Sequence, residues 1–258
     1  MFHCGKGALM VVVAQISDLH FNGTAEHRER VEGVLNYLNS TATNGHPLAA
    51  LLVTGDLADV GLPSEYAEAA RTMVTDIPTL TLLGNHDDRA AYTAERDGVP
   101  STGPVNSALR LDDLLILALD SSIPGRSDGY LSDESLEWAR TQIAAAGDDV
   151  DVLLSWHHPP VPIGLPLMDE RRLNEPDRAA ALITDHPNVV GLVTGHAHTP
   201  AASIFAGRPM IVAPGVSSTL NLPFEGADVV NHTQGPGIAF HVIDDHRLTS
   251  HFRVLSSW

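Results

Sequence analysis

Short apolar runs alternate with stretches of helical periodicity along much of the chain. Compact runs rich in Val and Leu are typical of buried strands, and apolar residues three and four positions apart are typical of helices that cover a sheet. The runs predict strands at residues 9–16, 48–54, 79–83, 151–156 and 189–194. The helical patterns predict helices at residues 25–38, 64–74, 88–96, 132–146 and 175–184, with Ser132 as a cap.

The pattern changes from residue 201 onward to short strands, predicted at residues 203–205, 210–212, 238–243 and 248–254. A hairpin is predicted from residues 105–109 and 114–119, joined by Asp112 and Asp113. The long irregular segment 217–236 is predicted to be a functional or mobile loop. The order of elements predicts two sheets packed together with helices outside, a layered α/β sandwich. Because no repeat or linker divides the chain, residues 1–258 are predicted to form a single domain.

Composition narrows the class of partner. The chain has 258 residues and a formal net charge of −17, which disfavours a nucleic-acid polymer or an anionic membrane as a partner. This acidity has two equally good explanations, which are the solubility of the protein and the presence of acidic metal ligands. No apolar run is long enough to span a bilayer, no signal-peptide pattern is seen, and the single cysteine, Cys4, excludes an internal disulfide. These features favour a cytoplasmic protein that starts at Met1 or Met10.

Polar side chains follow five of the predicted strands, at the point where each strand ends. Ligand sites in open α/β sheets lie outside the carboxyl ends of strands, so these side chains are expected to converge. In an extended chain, positions i and i+2 point to the same side. That spacing is expected to direct Asp18 and His20 to one spot, and His196 and His198 to one spot.

The converging residues form a set of candidate metal ligands, which are Asp18, His20, Asp56, Asn85, His157, His196 and His198. Imidazole, carboxylate and amide groups together suit Mn, Fe or Zn better than Ca. The set is too large for one tetrahedral ion and fits two ions that share a bridging carboxylate. Taken alone, an Asp before a turn is more often a cap, and a lone His is more often structural. The five strand ends together favour a two-metal hydrolase of phosphate esters.

The motifs at these strand ends resemble those of the calcineurin-like metallophosphoesterases, in the same order, over residues 18–198. They are Asp18-x-His20, Gly55-Asp56, Gly84-Asn85-His86-Asp87, His157-His158-Pro159 and Gly195-His196-Ala197-His198. The resemblance implies a four-layer α/β/β/α sandwich of two mixed sheets flanked by helices. It also implies that one ion is held by Asp18, His20 and His198, the other by Asn85, His157 and His196, and that Asp56 bridges them.

The same resemblance implies roles in the reaction. A metal-bound hydroxide is the expected nucleophile, and His86 is expected to contact the phosphate and protonate the leaving oxygen. Asp56 and Asn85 complete the expected catalytic set, and Asn85, His86 and His198 are the expected substrate contacts. His157 is preferred over His158 as a ligand because the family's ligand stands two residues before the proline. The role of His158 stays open.

Departures from the family's motifs disfavour two of its subfamilies. Val60 stands where serine/threonine phosphatases of this superfamily carry Arg, and Asp59 stands where purple acid phosphatases carry Tyr. Segments 83–89, 120–125 and 156–162 look like those of bacterial class III cyclic-nucleotide phosphodiesterases and related glycerophosphodiesterases. A small phosphodiester, most of all 3′,5′-cyclic AMP or a similar cyclic nucleotide, is therefore the predicted substrate.

Two alternatives stay open beside this prediction. One is a broad-range or glycerophosphodiester phosphodiesterase or phosphomonoesterase, which the motifs do not exclude. The other is a non-catalytic metal-binding scaffold of the same fold, which the intact His86 and the full ligand set disfavour. Loops 165–172 and 217–237 are expected to contact the leaving group, with Met168, Phe224 and His232 as candidate lining residues. The resemblance also allows a homodimer.

Overall fold

The computed structural model describes residues 10–42 and 47–256. Leu9 at the start of the first predicted strand, Met1 and Cys4 lie outside these residues. In chain order the elements are β1 (Val11–Ile16), α1 (Ala25–Ala42), β2 (Ala50–Thr54), α2 (Pro63–Thr72), β3 (Thr79–Leu82), α3 (Arg89–Asp97), β4 (Ser107–Leu111), β5 (Leu114–Ala118), α4 (Asp133–Ala146), β6 (Asp151–Ser155), α5 (Pro166–Asp169), α6 (Pro176–Thr184), β7 (Val189–Thr194), β8 (Ala201–Phe205), β9 (Arg208–Val212), β10 (Thr219–Leu220), β11 (Val230–Asn231), β12 (Gly237–Asp244) and β13 (Arg247–Val254).

Two mixed sheets form the centre of the fold. The first has five strands in the order β13-β12-β1-β2-β3, and the second has six in the order β4-β5-β6-β7-β9-β8. Strands β1, β2 and β3 are parallel, as are β5, β6, β7 and β9. Their carboxyl ends therefore lie at one edge of each sheet, where the connections leave the strands.

Three apolar clusters define the layers. Between the sheets, Val13 and Leu52 of the first sheet pack with Ile116 and Leu153 of the second. Residues one position along the same strands face the other way, because side chains alternate across a strand. Ala14 and its neighbours pack against α1 and α2, while the outer face of the second sheet packs against α4 and α6. The predicted four-layer α/β/β/α sandwich is confirmed.

Local features follow the sequence closely, with two exceptions. The predicted hairpin forms between β4 and β5, and Ser132 caps α4 by accepting a hydrogen bond from the backbone N–H of Ser135. The short helix α5 was not expected. The segment 217–236, predicted to be irregular, contains two short strands, since β10 and β11 pair within it. Strands of two residues carry no periodicity that a sequence pattern can show.

Candidate metal centre

Five connections meet at the carboxyl edge of the two sheets and are tied together by backbone hydrogen bonds. In the first sheet, the N–H groups of Asp18 and His20 donate to the carbonyls of Gly55 and Asp56, at 3.1 and 2.9 Å. In the second, the N–H of Gly195 donates to the carbonyl of His157 at 3.0 Å. These bonds hold the polar residues after β1, β2, β6 and β7 side by side.

Two carboxylates join the connections further. The N–H of His86 donates to Oδ1 of Asp56 at 2.9 Å, which fixes the connection after β3 against the one after β2. The N–H of His196 donates to Oδ1 of Asp18 at 3.1 Å, which joins the second sheet to the first. The expected convergence of the five strand ends is therefore what the structure shows.

The backbone at these positions is left-handed. Of the nine non-glycine residues with positive φ in the described ranges, five are candidate ligands, with φ between 47° and 71°. They are Asp18, His20, Asp56, His196 and His198. The extended backbone predicted for the i and i+2 pairs was wrong, because a turn at each strand end sets the direction of the side chains. Asp18 and His20 nevertheless share one group of ligand atoms, as predicted, whereas His196 and His198 fall into different groups. Non-glycine residues in this conformation cost about 1–3 kcal/mol each and cluster at functional sites.

One group of ligand atoms comes from both sheets. Single ligand atoms of Asp18, His20, Asp56 and His198 all lie within 4.8 Å of one another. The Nε2 atoms of His20 and His198 are 3.2 Å apart, and Nε2 of His198 is 3.6 Å from Oδ1 of Asp18. This grouping places His198 with the Asp18 pair and apart from His196.

A second group consists of histidines. Ligand atoms of His157, His158 and His196 also lie within 4.8 Å of one another. Nε2 of His157 is 3.3 Å from Oδ2 of Asp56, and Nε2 of His20 is 3.7 Å from the same oxygen. Asp56 thus lies between the two groups, where a bridging carboxylate would stand.

Buried atoms without a partner mark the same place. Among the described residues, five of the seven buried side-chain N and O atoms that lack a hydrogen-bond partner belong to this cluster. They are Oδ2 of Asp18, Oδ1 of Asn85 and Nε2 of His157, His158 and His196. Leaving such atoms unpaired costs about 1–3 kcal/mol each, so the cluster is built for an occupant. All five can offer a lone pair, and the buried His/Asp cluster therefore suggests a dinuclear metal site.

Hydrogen bonds on the far side of each imidazole orient the ring. Nδ1 of His157 donates to the carbonyl of Thr54 at 2.7 Å, so in the neutral ring the lone pair is on Nε2, which faces the centre. Nδ1 of His198 lies 2.9 Å from Oγ of Ser218. Such outer partners fix the tautomer and direction of a metal-ligating histidine. Ser218 was missed by the sequence analysis, and no local pattern distinguishes it within its loop.

Asp59 was considered only as a departure from another subfamily's motif, yet it touches two site residues. Its Oδ1 lies 3.1 Å from Nδ1 of His20, and its carbonyl accepts from Nδ1 of His86 at 2.6 Å. Burial acts to lower the pKa of His20, but this hydrogen bond and the nearby carboxylates raise it. An acidic residue three positions after the central Asp56 was the signal available in the sequence.

His86 stands at the exposed side of the cluster. Its ring meets the ring of His20 edge-on, with centroids 4.7 Å apart. Because Nδ1 is bonded to a backbone carbonyl, Nε2 is the nitrogen available to an incoming molecule. The position fits the role that the sequence predicts for His86, and that role stays a prediction.

His158 is as buried as His157, and its surroundings differ. Nδ1 lies 2.8 Å from Oγ of Ser121, and Gly129 packs so closely that a Cβ there would overlap the imidazole. Burial, followed by the charge of His157, holds the pKa of His158 well below its usual range, so the ring is neutral. The preference for His157 over His158 as a ligand stays a prediction, with both rings beside His196.

The charge balance favours cations in the cluster. Burial acts to lower the pKa of His157, but the carboxylate of Asp56 outweighs it and raises the pKa to about 9. In the same pair, burial acts to raise the pKa of Asp56, and His157 holds it well below its usual range. A proton on His157 occupies the place that a metal ion would take, so metal binding is expected to release protons.

The sequence matches one family model and several relatives that are named as phosphodiesterases. Residues 11–200 match the calcineurin-like phosphoesterase family. A probable cyclic nucleotide phosphodiesterase from Rhodococcus erythropolis is 32% identical, over 90% of this chain and 80% of that protein. A cAMP/cGMP dual specificity phosphodiesterase from Mycobacterium tuberculosis is 29% identical over 82% of this chain and 69% of that protein. The glycerophosphodiester phosphodiesterase GpdQ from Enterobacter lignolyticus is 30% identical over 73% of this chain and 71% of that protein.

Solved structures share the fold at low sequence identity. A dimetal phosphatase from Danio rerio superposes with a TM-score of 0.63 and 11% identity, over 95% of this chain and 99% of that chain. GAP50, an anchor in the inner membrane complex of Plasmodium, has the same TM-score and identity, over 95% of this chain and 84% of that chain. Among the described residues of this chain, no helix is both long and apolar enough to cross a membrane. The resemblance seen in the motifs is confirmed, and the chain belongs to the calcineurin-like phosphoesterase family.

Proposed function

We propose that this chain is a two-metal hydrolase of small phosphodiesters, with 3′,5′-cyclic AMP or a similar cyclic nucleotide as its substrate. Family membership and the phosphodiesterase names of its relatives support a hydrolase acting on phosphodiesters. The observation that carries the proposal is the convergence of unpaired, buried ligand atoms from both sheets around Asp56. These atoms support metal binding, and the exposed His86 beside them favours an enzyme over a metal-binding scaffold.

The proposed division of ligands follows the first group and takes His157 and His196 from the second, with Asn85, supplied by the family motif, in place of His158. Asp18, His20 and His198 would hold one ion, and the other would be held by Asn85, His157 and His196, with Asp56 shared. The mixture of nitrogen and neutral or anionic oxygen suits Mn, Fe or Zn. Ligand chemistry supports these three metals as a group, and the availability of each metal decides among them.

Two bound divalent ions supply Lewis-acid charge for the phosphate and lower the pKa of water into the neutral range. The protein's own groups then have defined tasks. Asn85 presents a neutral oxygen, which leaves the centre more positive than a carboxylate would and favours an anionic diester. Asp18 and Asp56, fixed by backbone N–H groups, keep the ligand atoms in place before substrate arrives.

His86 is proposed as the acid for the leaving oxygen. With its Nδ1–H bonded to the carbonyl of Asp59, Nε2 carries a proton only in the imidazolium form. A doubly protonated His86 can therefore bind the anionic phosphate and pass its Nε2 proton to the departing alcohol. The exposed position of the ring agrees with a group that meets substrate rather than metal.

A second candidate is a glycerophosphodiester phosphodiesterase, because a GpdQ protein is as similar as the cyclic-nucleotide enzymes are. Loops 165–172 and 217–237 would distinguish the two by the leaving groups that they accept. The net charge of −17 supports a small substrate over a nucleic-acid polymer. Location in the cytoplasm, a single domain over residues 1–258 and a homodimer are kept as proposals.

A substrate panel tests the proposal. The manganese-loaded protein would be assayed on 3′,5′-cyclic AMP, 2′,3′-cyclic AMP, glycerophosphodiesters and p-nitrophenyl phosphate. Asp56→Ala is the inactive variant, and Asp76→Ala, an exposed carboxylate before the opposite end of β3, is its matched control. High kcat/KM on one diester, lost only in Asp56→Ala, would support the proposal and name the substrate. Low rates that Asp56→Ala leaves unchanged would favour the scaffold.

A further inference from the structure

A polar chain crosses the apolar space between the two sheets, directly beneath the candidate metal centre. Gln15 on β1 is fully buried, and its Nε2 donates to Oγ1 of Thr54 and to the carbonyl of Thr194, both at 2.9 Å. Its Oε1 lies 2.8 Å from Nε2 of His241, which is also fully buried. Nδ1 of His241 lies 2.8 Å from Oγ of Ser250.

The hydrogen bonds of this chain can be arranged in only one direction. Both protons of the Gln15 amide are used on Thr54 and Thr194, so its Oε1 accepts from Nε2–H of His241. Nδ1 of a neutral His241 then accepts from the hydroxyl of Ser250. Burial lowers the pKa of His241 to about 3, which keeps the ring in this neutral form. The orientation of the Gln15 amide is thus fixed from outside the centre.

The two acceptors of Gln15 are the last residues of strands that lead into the centre. Thr54 ends β2, two residues before Asp56, and its carbonyl receives Nδ1–H of His157. Thr194 ends β7, two residues before His196, in the other sheet. One side chain therefore binds both sheets at the ends of the two strands that lead to Asp56 and His196.

Stability alone does not require a polar network in this space. Val13 and Leu52 surround it, and a buried polar network is no more stabilising than well-packed apolar side chains of the same volume. The network instead fixes the relative position of the strand ends, because hydrogen bonds set distances that apolar contacts leave adjustable.

From these contacts we infer that Gln15, oriented by His241, is a positioning residue for the metal centre. It sets the separation of the Asp56 and His196 connections and so the affinity of the centre for its ions. The inference rests on the proposed function, since it needs a centre that binds metal. Groups that hydrogen-bond a metal ligand directly are typically worth about 10–100-fold in affinity, and Gln15, which acts one step further out through Thr54 and Thr194, is expected to lie at the lower end of that range.

The test compares metal binding with fold stability. Gln15→Met removes the amide and leaves Nε2–H of His241 unpaired, whereas the double variant Gln15→Met/His241→Phe removes both polar groups. Ile243→Val, a small change in the same inter-sheet cluster, is the matched control. Mn²⁺ binding would be measured by calorimetric titration and the coupling of the two ions by electron paramagnetic resonance. Thermal melting of the metal-free proteins measures the stability of the fold.

We expect both Gln15 variants to bind Mn²⁺ about 10-fold more weakly, with altered coupling between the ions. The double variant should melt closer to the wild type than Gln15→Met while its affinity stays low, which separates positioning from stability. Ile243→Val should keep wild-type affinity. Wild-type affinity and coupling in both Gln15 variants would overturn the inference and leave the proposed function standing. A wild-type protein that binds no Mn²⁺ would overturn both.

Discussion

Acid is expected to destabilise this protein in part through one buried imidazole, that of His241. The ring lies between β1 and β13, fully shielded from water, with Gln15 and Ser250 as its partners. No carboxylate contributes to its pKa, which burial alone lowers from 6.5 to about 3. A protonated His241 would be an isolated charge in an apolar layer, and the unfolded chain has no such restriction.

The magnitude follows from the two pKa values. Because the pKa is lower in the folded state, the unfolded state binds more protons at every pH below about 6.5. The stabilisation is fully present above that pH and is lost as the pH falls toward 3. The slope approaches about 1.4 kcal/mol per pH unit. Between about pH 7 and pH 5, His241 should therefore account for about 2 kcal/mol of lost free energy of unfolding.

Urea unfolding with excess chelator, followed by circular dichroism, measures this difference. His241→Phe leaves Oε1 of Gln15 unpaired, which costs about 1–3 kcal/mol at either pH and does not enter the comparison. The variant should lose about 2 kcal/mol less than the wild type between about pH 7 and pH 5. His251→Phe, exposed on β13, is the control and should follow the wild type. Equal pH dependence in His241→Phe and the wild type would refute the reasoning.

Three further changes test two positions at the centre and one buried ion pair. Asp59→Asn removes the carboxylate 3.1 Å from Nδ1 of His20, and metal affinity or kcat/KM should fall about 10-fold in titrations and steady-state kinetics. Unchanged values would show that Asp59 plays no part. Asp120→Ala removes the fully buried carboxylate that lies 2.7 Å from Nε of Arg89. The free energy of unfolding should fall by about 3–5 kcal/mol, because Arg89 loses its ion-pair partner. A loss under about 1 kcal/mol in urea titrations would contradict the burial argument. Gly84→Ala places a methyl group against the central aspartate, so the purified protein should be folded but metal-poor. A full metal content, measured by elemental analysis, would show that the turn can shift.

Much of the fold was predictable because the sequence shows it locally. Leu51 and Leu52 face opposite apolar clusters, so β2 reads as a continuous apolar run, as strands buried on both faces do. Each such run stops at a residue that can bind a metal or form a turn. Since parallel strands align their carboxyl ends, Asp18 and Asp56 could be placed at one edge of a sheet from the order of elements alone.

The parts of the site that were not predictable depend on contacts between distant residues. Ser218 reaches His198 from a loop whose only regular structure is the β10–β11 pair. Gln15 and His241 are 226 positions apart, and each alone looks like a polar interruption of an apolar strand. Periodicity describes which face a residue occupies, and it says nothing about which polar group lies opposite.

The left-handed residues show why the site needed the structure most. A sequence pattern assigns Asp18, His20 and His196 to the ends of strands, where extended backbone is the natural expectation. The observed conformation is unfavourable for each of them, and the N–H groups of Asp18 and His20 are held by carbonyls of the neighbouring connection. Those bonds, made to residues after β2, keep the turns in place before any ligand binds. Binding a metal at such a centre costs little free energy for ordering the ligands, so the hydrogen bonds that hold the unfavourable backbone are the source of its preorganisation.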